Sequence, residues 1–408
     1  MTATDVRPSP DAGATAHAVA AALRTIGRNI DALGDRYPAD TTAGNRYPLR
    51  PPAGGLPQGS NVGWTTSFWP GMLWLAYDLT GEERYRHAAL SHVESFADRV
   101  DRGIDLDTHD LGFLYTLACV IPARRAGHRR ARGAALAAAD HLMTRVLEPA
   151  GIIQAWGDLD DPRQRGRTII DSLMNTPLLF WASDATGDHR YADAARRHAA
   201  QLRAHILRPD GTTFHTYYWD AETGAPLRGE TEQGHADHSC WARGQAWGIY
   251  GFSLNHRHTG DPALLAAART CADYFLDHLP ADRVAYWDLE FGDGSGQERD
   301  SSAAAIAACG LVELADNLAD RADAYRADAD RYRTAAGQIL HSLIDGYATA
   351  GHGGERQRGP EALLRHGVYD KPKGIGVDEG NLWGDYFYLE ALTRATVTGW
   401  SSPWSSPR

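Results

Sequence analysis

The chain has 408 residues, of which 43% are hydrophobic and 23% charged; this fits a globular protein with a large core and excludes a disordered or collagenous one. It carries 52 acidic against 41 basic residues, a net charge of −11, which argues against the basic face that nucleic-acid binding needs. Its four cysteines, Cys119, Cys240, Cys271 and Cys309, lie far apart without a CxxC pair, and read as free thiols of a reducing, cytoplasmic compartment.

In chain order, residues 1–15 are polar, acidic and Pro-bearing. They lack the basic start and apolar middle of a secretory signal and read as a disordered leader. Ala-rich stretches with apolar residues at helical spacing then follow at 15–33, 69–79, 84–100, 133–147, 176–185, 190–206, 244–258, 262–278, 301–317, 320–344 and 382–395. Leu111 to Ala123 is taken as the longest apolar run, too short for the roughly 20 residues that cross a bilayer, so no membrane span is expected. Residues 401–408 read as a flexible tail.

Three segments share one pattern: Thr80-Gly81-Glu82 before Tyr85, Thr186-Gly187-Asp188 before Tyr191, and Thr259-Gly260-Asp261. Gly supplies the left-handed end of one helix, and the acid favours the start of the next. Stacked helix hairpins form either a solenoid or a closed ring; long, irregular loops rich in Trp, Gly, His and Asp suit a closed α/α toroid with a site at its mouth better than an open solenoid. That makes a single all-α domain of residues 16–400.

The loops hold the candidate chemistry. An indole offers a flat apolar face with a polar edge, which suits stacking on a sugar ring. Trp64, Trp156 and Trp241 sit in Gly-rich or polar loops and could be site or core, whereas Trp74 and Trp181 lie in apolar helical runs and read as core. Asp110 enters an apolar helix at Thr108-His109-Asp110-Leu111, and Asp171 stands among apolar neighbours in Ile169-Ile170-Asp171-Ser172-Leu173. Desolvation raises a carboxyl pKa, so two such groups across a pocket can divide acid and base work. The same residues could instead cap helices, with Thr168 and Asp171 forming a capping box. Arg243, between Trp241 and Trp247, could clamp a carboxylate bidentately. His235, Asp237 and His238 read as neutral hydrogen-bonding groups more than as metal ligands. No HExxH, P-loop or cofactor motif occurs. Lys371 and Lys373 are the only lysines in the chain, which otherwise uses Arg.

Taken together, His109-Asp110-Leu111-Gly112-Phe113, Ile170-Asp171-Ser172-Leu173-Met174-Asn175, Phe214-His215-Thr216-Tyr217-Tyr218, Gln233-Gly234-His235, Trp241-Ala242-Arg243-Gly244-Gln245-Ala246-Trp247 and Gly384-Asp385-Tyr386-Phe387 resemble segments of the unsaturated glucuronyl hydrolases, glycoside hydrolase family 88. The resemblance spans roughly residues 60–395 in order. It implies an (α/α)6 six-hairpin toroid that hydrates the C4–C5 double bond of an unsaturated uronate at the non-reducing end of lyase-generated oligosaccharides, with neither metal nor cofactor. It implies Asp171 as general acid and base and Asp110 as the second essential aspartate. His109, His215, Gln233, Trp241, Arg243 and Trp247 match pocket positions, and Trp64 and Trp156 match aromatic walls; charge makes Arg243 the choice for the substrate carboxylate. Some members recognise sulfated substrates through a serine-and-lysine motif; the stretch here, Val368-Tyr369-Asp370-Lys371-Pro372-Lys373-Gly374, has no serines. Lys371 and Lys373 are expected on the pocket rim, against the leaving sugar. The partner implied is the oligosaccharide alone, on a monomer or small homo-oligomer.

Other readings of the same residues are an unsaturated galacturonyl-rhamnose hydrolase, a sugar epimerase using paired histidines, and a non-catalytic sugar-binding protein. Fold analogy alone does not separate them.

Overall fold

The computed structural model describes residues 12–162, 164–320, 325–349 and 359–405. Its inner ring is built from α2 (Phe68–Thr80), α5 with α6 (Leu111–Tyr115, Ile121–Ala126), α8 (Thr176–Thr186), α10 (Ala242–Thr259), α12 (Ser301–Ala319) and α14 (Leu382–Thr396). Each packs on the next, and α14 returns to α2, which closes the ring. Outside lie α1 (Ala12–Leu33), α3 and α4 (Glu83–Ser91, Val93–Asp101), α7 (Arg129–Met143), α9 (His189–His205), α11 (Pro262–Asp277) and α13 (Arg326–Ser342). The last hairpin joins the two ends of the chain, α14 against α1. The chain is an all-α (α/α)6 toroid.

The two rings differ as their sequences do. In α10 every residue from Ala242 to His256 is buried, because neighbours press on all sides. In α11 only Leu264, Leu265, Ala267, Ala268, Cys271, Ala272 and Phe275 are buried, a one-sided stripe at helical spacing. The inner helix Ser301–Ala319 is long and apolar enough to cross a membrane, longer than the run at 111–123, but 83% of its apolar window is buried inside the barrel. All four cysteines are buried free thiols.

The repeated Thr-Gly-acid turns are alike in detail. Gly81, Gly187 and Gly260 take φ of 70°, 77° and 72°. Each preceding threonine donates its hydroxyl to the carbonyl four residues back (Thr80 to Ala76, Thr186 to Ala182, Thr259 to Asn255) and accepts the N–H two residues on. One side chain thus closes the first helix and aims the second. Each of these turns ends an inner helix (α2, α8 and α10) and leads into the outer helix that follows it.

Several expectations need correction. The stretch 84–100 is two helices, divided at buried His92, whose Nδ1 meets the Tyr37 hydroxyl at 3.1 Å. The helix from Leu111 contains one wide turn, where Ile121 N–H reaches back to Thr116 O. Pro122 follows at once, and a proline inside a helix both lacks an N–H and crowds the preceding turn. Residues 12–15 are already helical; the rest of the expected leader lies outside the described residues. Residues 401–405 are not a loose tail: Trp404 is buried, with Nε1 donating to Glu390 at 3.1 Å. Residues 406–408 lie outside the described residues.

Candidate active site

The rim where the inner helices begin carries the long connections and, among the described residues, three small antiparallel sheets. These are β1–β2 (Val146–Leu147, Ile152–Ile153), β3–β4–β5 (Arg167–Ile169, Thr216–Trp219, Pro226–Glu230) and β6–β7 (Gly367–Asp370, Ile375–Glu379). His109 and Asp110 stand just before α5. Asp171 stands on a tight 3-10 turn, Ile170–Met174, that joins β3 to α8.

Neither aspartate caps its helix. Instead they meet across one imidazole: His109 Nε2 is 3.4 Å from Asp110 Oδ1 and 3.5 Å from Asp171 Oδ1. Asp171 Oδ1 and His109 Nδ1 are buried without a hydrogen-bond partner among the described residues. Burial pushes the His109 pKa down to about 3, helped by Arg145, so the ring is neutral. Burial raises Asp110 to about 6, against hydrogen bonds from Thr108 and Asn175 that favour its ionised form. Burial also raises Asp171, to well above the usual carboxyl range; Asp110 adds to the rise and Arg243 opposes it. Both carboxyls are thus held above the ordinary carboxyl range, and the proximity of one to the other disfavours ionising both at once.

Two contacts hold the segments together. Phe113 N–H donates to Asn175 Oδ1 at 2.7 Å. Gly112 lies so close to the neighbouring turn that a Cβ there would sit 2.2 Å from Asn175 Cα. Overpacking costs typically about 1–3 kcal/mol, and here the contact is backbone, which cannot rotate away. Gly112→Ala should lower the melting temperature and, by spreading Asp110 from Asp171, reduce kcat by more than the loss of folded protein explains. Unchanged kcat per folded molecule would show that the spacing is not critical. Beneath Asp171, His198 accepts Ile153 N–H at Nδ1 (3.0 Å), which leaves Nε2–H to donate to Ser172 Oγ (2.7 Å); Ser172 in turn donates to Ile169 O (2.6 Å).

On the other side, His215 Nδ1 accepts the Glu232 and Gln233 N–H groups at 2.9 and 3.2 Å, which places its proton on Nε2. Burial, with Arg243 and Lys373 nearby, pushes its pKa down to about 3. Its ring packs on Trp241 at 4.3 Å. Arg243 is 2% exposed, and both of its terminal nitrogens are taken. Nη1 donates to Asp300 at 3.0 Å and to Val368 O; Nη2 donates to Gln233 Oε1 at 2.6 Å and to Tyr369 O at 2.7 Å. That leaves no fork for a bidentate clamp on substrate, so Arg243 positions Gln233 and the β6–β7 hairpin instead. Trp247 is packed in the barrel core against Phe113 and Phe387, not on the pocket surface. Trp64 is half-buried beside Trp383 (5.1 Å) and donates to the Tyr369 hydroxyl at 3.0 Å. Trp156 is 40% exposed. Lys371 and Lys373 lie on the β6–β7 turn, each ion-paired: Lys371 with Glu298 at 2.5 Å, Lys373 with Asp370 at 2.9 Å.

Asn175, Thr108, His198 and Tyr369 were not among the residues singled out from sequence. Thr108, Asn175 and Tyr369 lie inside the motifs named above, but nothing in their spacing assigns them a contact.

A set of potential metal ligands among the described residues is His109, Asp110 and Asp171, with donor atoms within 4.8 Å of one another. A cation bound there would need both carboxylates ionised, against the raised pKa of Asp171. A cavity of about 800 Å³ opens at the far end of the barrel, lined in part by Arg257, Glu313 and Arg394. Its charges already pair with each other, Glu313 with both arginines, so it offers no comparable chemistry.

The family profile described as Glycosyl Hydrolase Family 88 matches residues 46–312. The chain belongs to glycosyl hydrolase family 88. Within family 88 it is 45% identical over 372 residues to an unsaturated chondroitin disaccharide hydrolase of Streptococcus pneumoniae, covering 91% of this chain and 89% of that one. It is 45% identical over 386 residues to an unsaturated glucuronyl hydrolase of Bacillus sp. GL1, covering 94% and 97%. The crystal structure of the Bacillus enzyme superposes with a TM-score of 0.88 at 43% identity, over 96% and 99% of the two chains. A Streptococcus agalactiae unsaturated glucuronyl hydrolase variant complexed with dGlcA-GalNAc6S gives 0.82 at 39% identity, over 98% and 95%.

Proposed function

We propose that this family 88 hydrolase removes the 4,5-unsaturated uronate from the non-reducing end of lyase-generated oligosaccharides by hydrating its C4–C5 enol-ether bond. One observation carries the chemistry: buried Asp110 and part-buried Asp171 face each other across His109, and desolvation together with the neighbouring Asp110 raises the Asp171 pKa, which favours a proton there. Asp171 gives that proton to C4, and positive charge develops at C5 and the ring oxygen. Water adds at C5 and returns a proton to Asp171, so the acid is regenerated. The resulting hemiketal breaks its C5–O5 bond to leave a ketone at C5. The C1 hemiacetal then expels the next sugar as an alcohol. Ionised Asp110 binds substrate hydroxyls and holds the Asp171 proton in place by its charge. Neutral His215 presents Nε2–H as a donor, and Trp64 and Trp156 line the pocket. The relatives' names, unsaturated chondroitin disaccharide hydrolase and unsaturated glucuronyl hydrolase, support the substrate class. Buried free thiols fit a cytoplasmic enzyme that receives substrate already cut to small size.

The test is a panel of unsaturated disaccharides and their saturated counterparts. Ultraviolet absorbance of the conjugated double bond should fall only with the unsaturated set, and saturated counterparts should not be cleaved. Cleavage of both at similar rates would contradict hydration.

A further inference from the structure

Most cations near the mouth already have protein partners: Arg243 with Asp300, Lys371 with Glu298, Lys373 with Asp370 and Arg228 with Glu230. Arg167 does not. It is 7% exposed, no carboxylate pairs with it among the described residues, and its Nε and Nη1 are buried without a hydrogen-bond partner. A buried charge without a carboxylate partner, and with two of its nitrogens unpartnered, is costly unless something supplies those partners.

Its surroundings are built in register. On the β3–β4–β5 sheet, Arg167 lies opposite Tyr218, and Tyr218 opposite Arg228. The Arg167 guanidinium covers the indole of Trp156 at 3.7 Å and lies 5.6 Å from the Tyr218 ring; Arg228 lies over Tyr218 at 4.6 Å. Trp156 also forms a β-bridge with Thr108, whose hydroxyl donates to Asp110 at 2.7 Å. Arg167 itself stands on the strand that runs straight into the Asp171 turn. The cation and the exposed indole therefore sit on the segments that lead into the acid pair.

We infer that Arg167 and Trp156 form an anion-recognising subsite for the leaving part of the oligosaccharide. The indole takes the apolar face of a sugar ring, and the guanidinium takes a carboxylate or sulfate ester carried on that part of the chain. This subsite rests on the functional reading above but adds a determinant of selectivity to it. The substrates it favours have an acidic group beyond the unsaturated uronate. A planar fork suits either oxyanion.

The test compares kcat/KM for unsaturated disaccharides with a neutral, a sulfated and a uronate leaving sugar. In Arg167→Gln the ratio of anionic to neutral substrates should fall about tenfold, while Lys371→Ala/Lys373→Ala should change that ratio less than threefold. An unchanged ratio in Arg167→Gln, or a loss that follows the lysines instead, overturns the proposal. Calorimetry on the wild-type protein gives a second readout that needs neither turnover nor a folded variant. A sulfated or uronate monosaccharide should bind about tenfold more tightly than its neutral counterpart; equal affinities overturn the subsite. The arm that binds more tightly identifies the oxyanion. Failure of every disaccharide to turn over, with the monosaccharide preference intact, would instead contradict the hydration chemistry.

Discussion

Asp171→Asn should lower kcat by about 10²–10⁴-fold, the usual contribution of a general acid–base group, and leave the fold intact. The amide has nearly the same size but carries no proton that C4 could take. The variant should also be more stable than the parent at pH 7–8. Burial raises the folded-state pKa of this carboxyl above its unfolded value. Its favourable contribution is therefore fully present below the unfolded pKa and is lost as pH rises through the folded one. An amide never ionises and escapes that loss, so the melting temperature should rise by a few degrees where activity vanishes. Near-parental kcat would remove Asp171 from the mechanism.

Asp110→Asn should act on the pH profile as well as on the rate. The parent profile of kcat/KM should be bell-shaped. Its acid limb lies near pH 6, where Asp110 gains a proton, and its alkaline limb lies higher, where Asp171 loses its own. Removing the Asp110 charge takes away a repulsion that holds the proton on Asp171, so the alkaline limb of the residual activity should move to lower pH. The acid limb should weaken or vanish. A uniform fall in rate with both limbs in place would make Asp110 a substrate-binding group only.

Helix periodicity and the Thr-Gly-acid turns made the helix hairpins legible, because both are local; closure into a six-hairpin ring was legible only through the irregular loops and the family resemblance. The wide turn at Thr116 and the break at His92 escaped because they depend on Pro122 and on a buried ring meeting Tyr37 across the fold. Trp404 escaped for a similar reason: a tail of small polar residues looks loose until Glu390 is found beneath its indole. In the site, Asp110 and Asp171 stood out because a lone carboxylate among apolar residues is a local anomaly. Arg243 misled for the converse reason. A lone arginine between tryptophans looks available, and only the tertiary structure brings Asp300, Gln233 and the Val368 and Tyr369 carbonyls to it. Arg167 attracted no notice among the chain's many arginines, since its distinction is the partner it lacks.

Hydration of the double bond is the central claim, and the fate of one oxygen atom tests it most directly. The reaction would be run in heavy-oxygen water on an unsaturated disaccharide, with products reduced by borohydride at early times to fix their carbonyl oxygens before exchange. Mass spectrometry then locates the label. Addition of water at C5 predicts heavy oxygen on C5 of the released uronate fragment and none on C1. Label on C1, with C5 retaining the original ring oxygen, would mean direct attack at the glycosidic carbon and would contradict the mechanism.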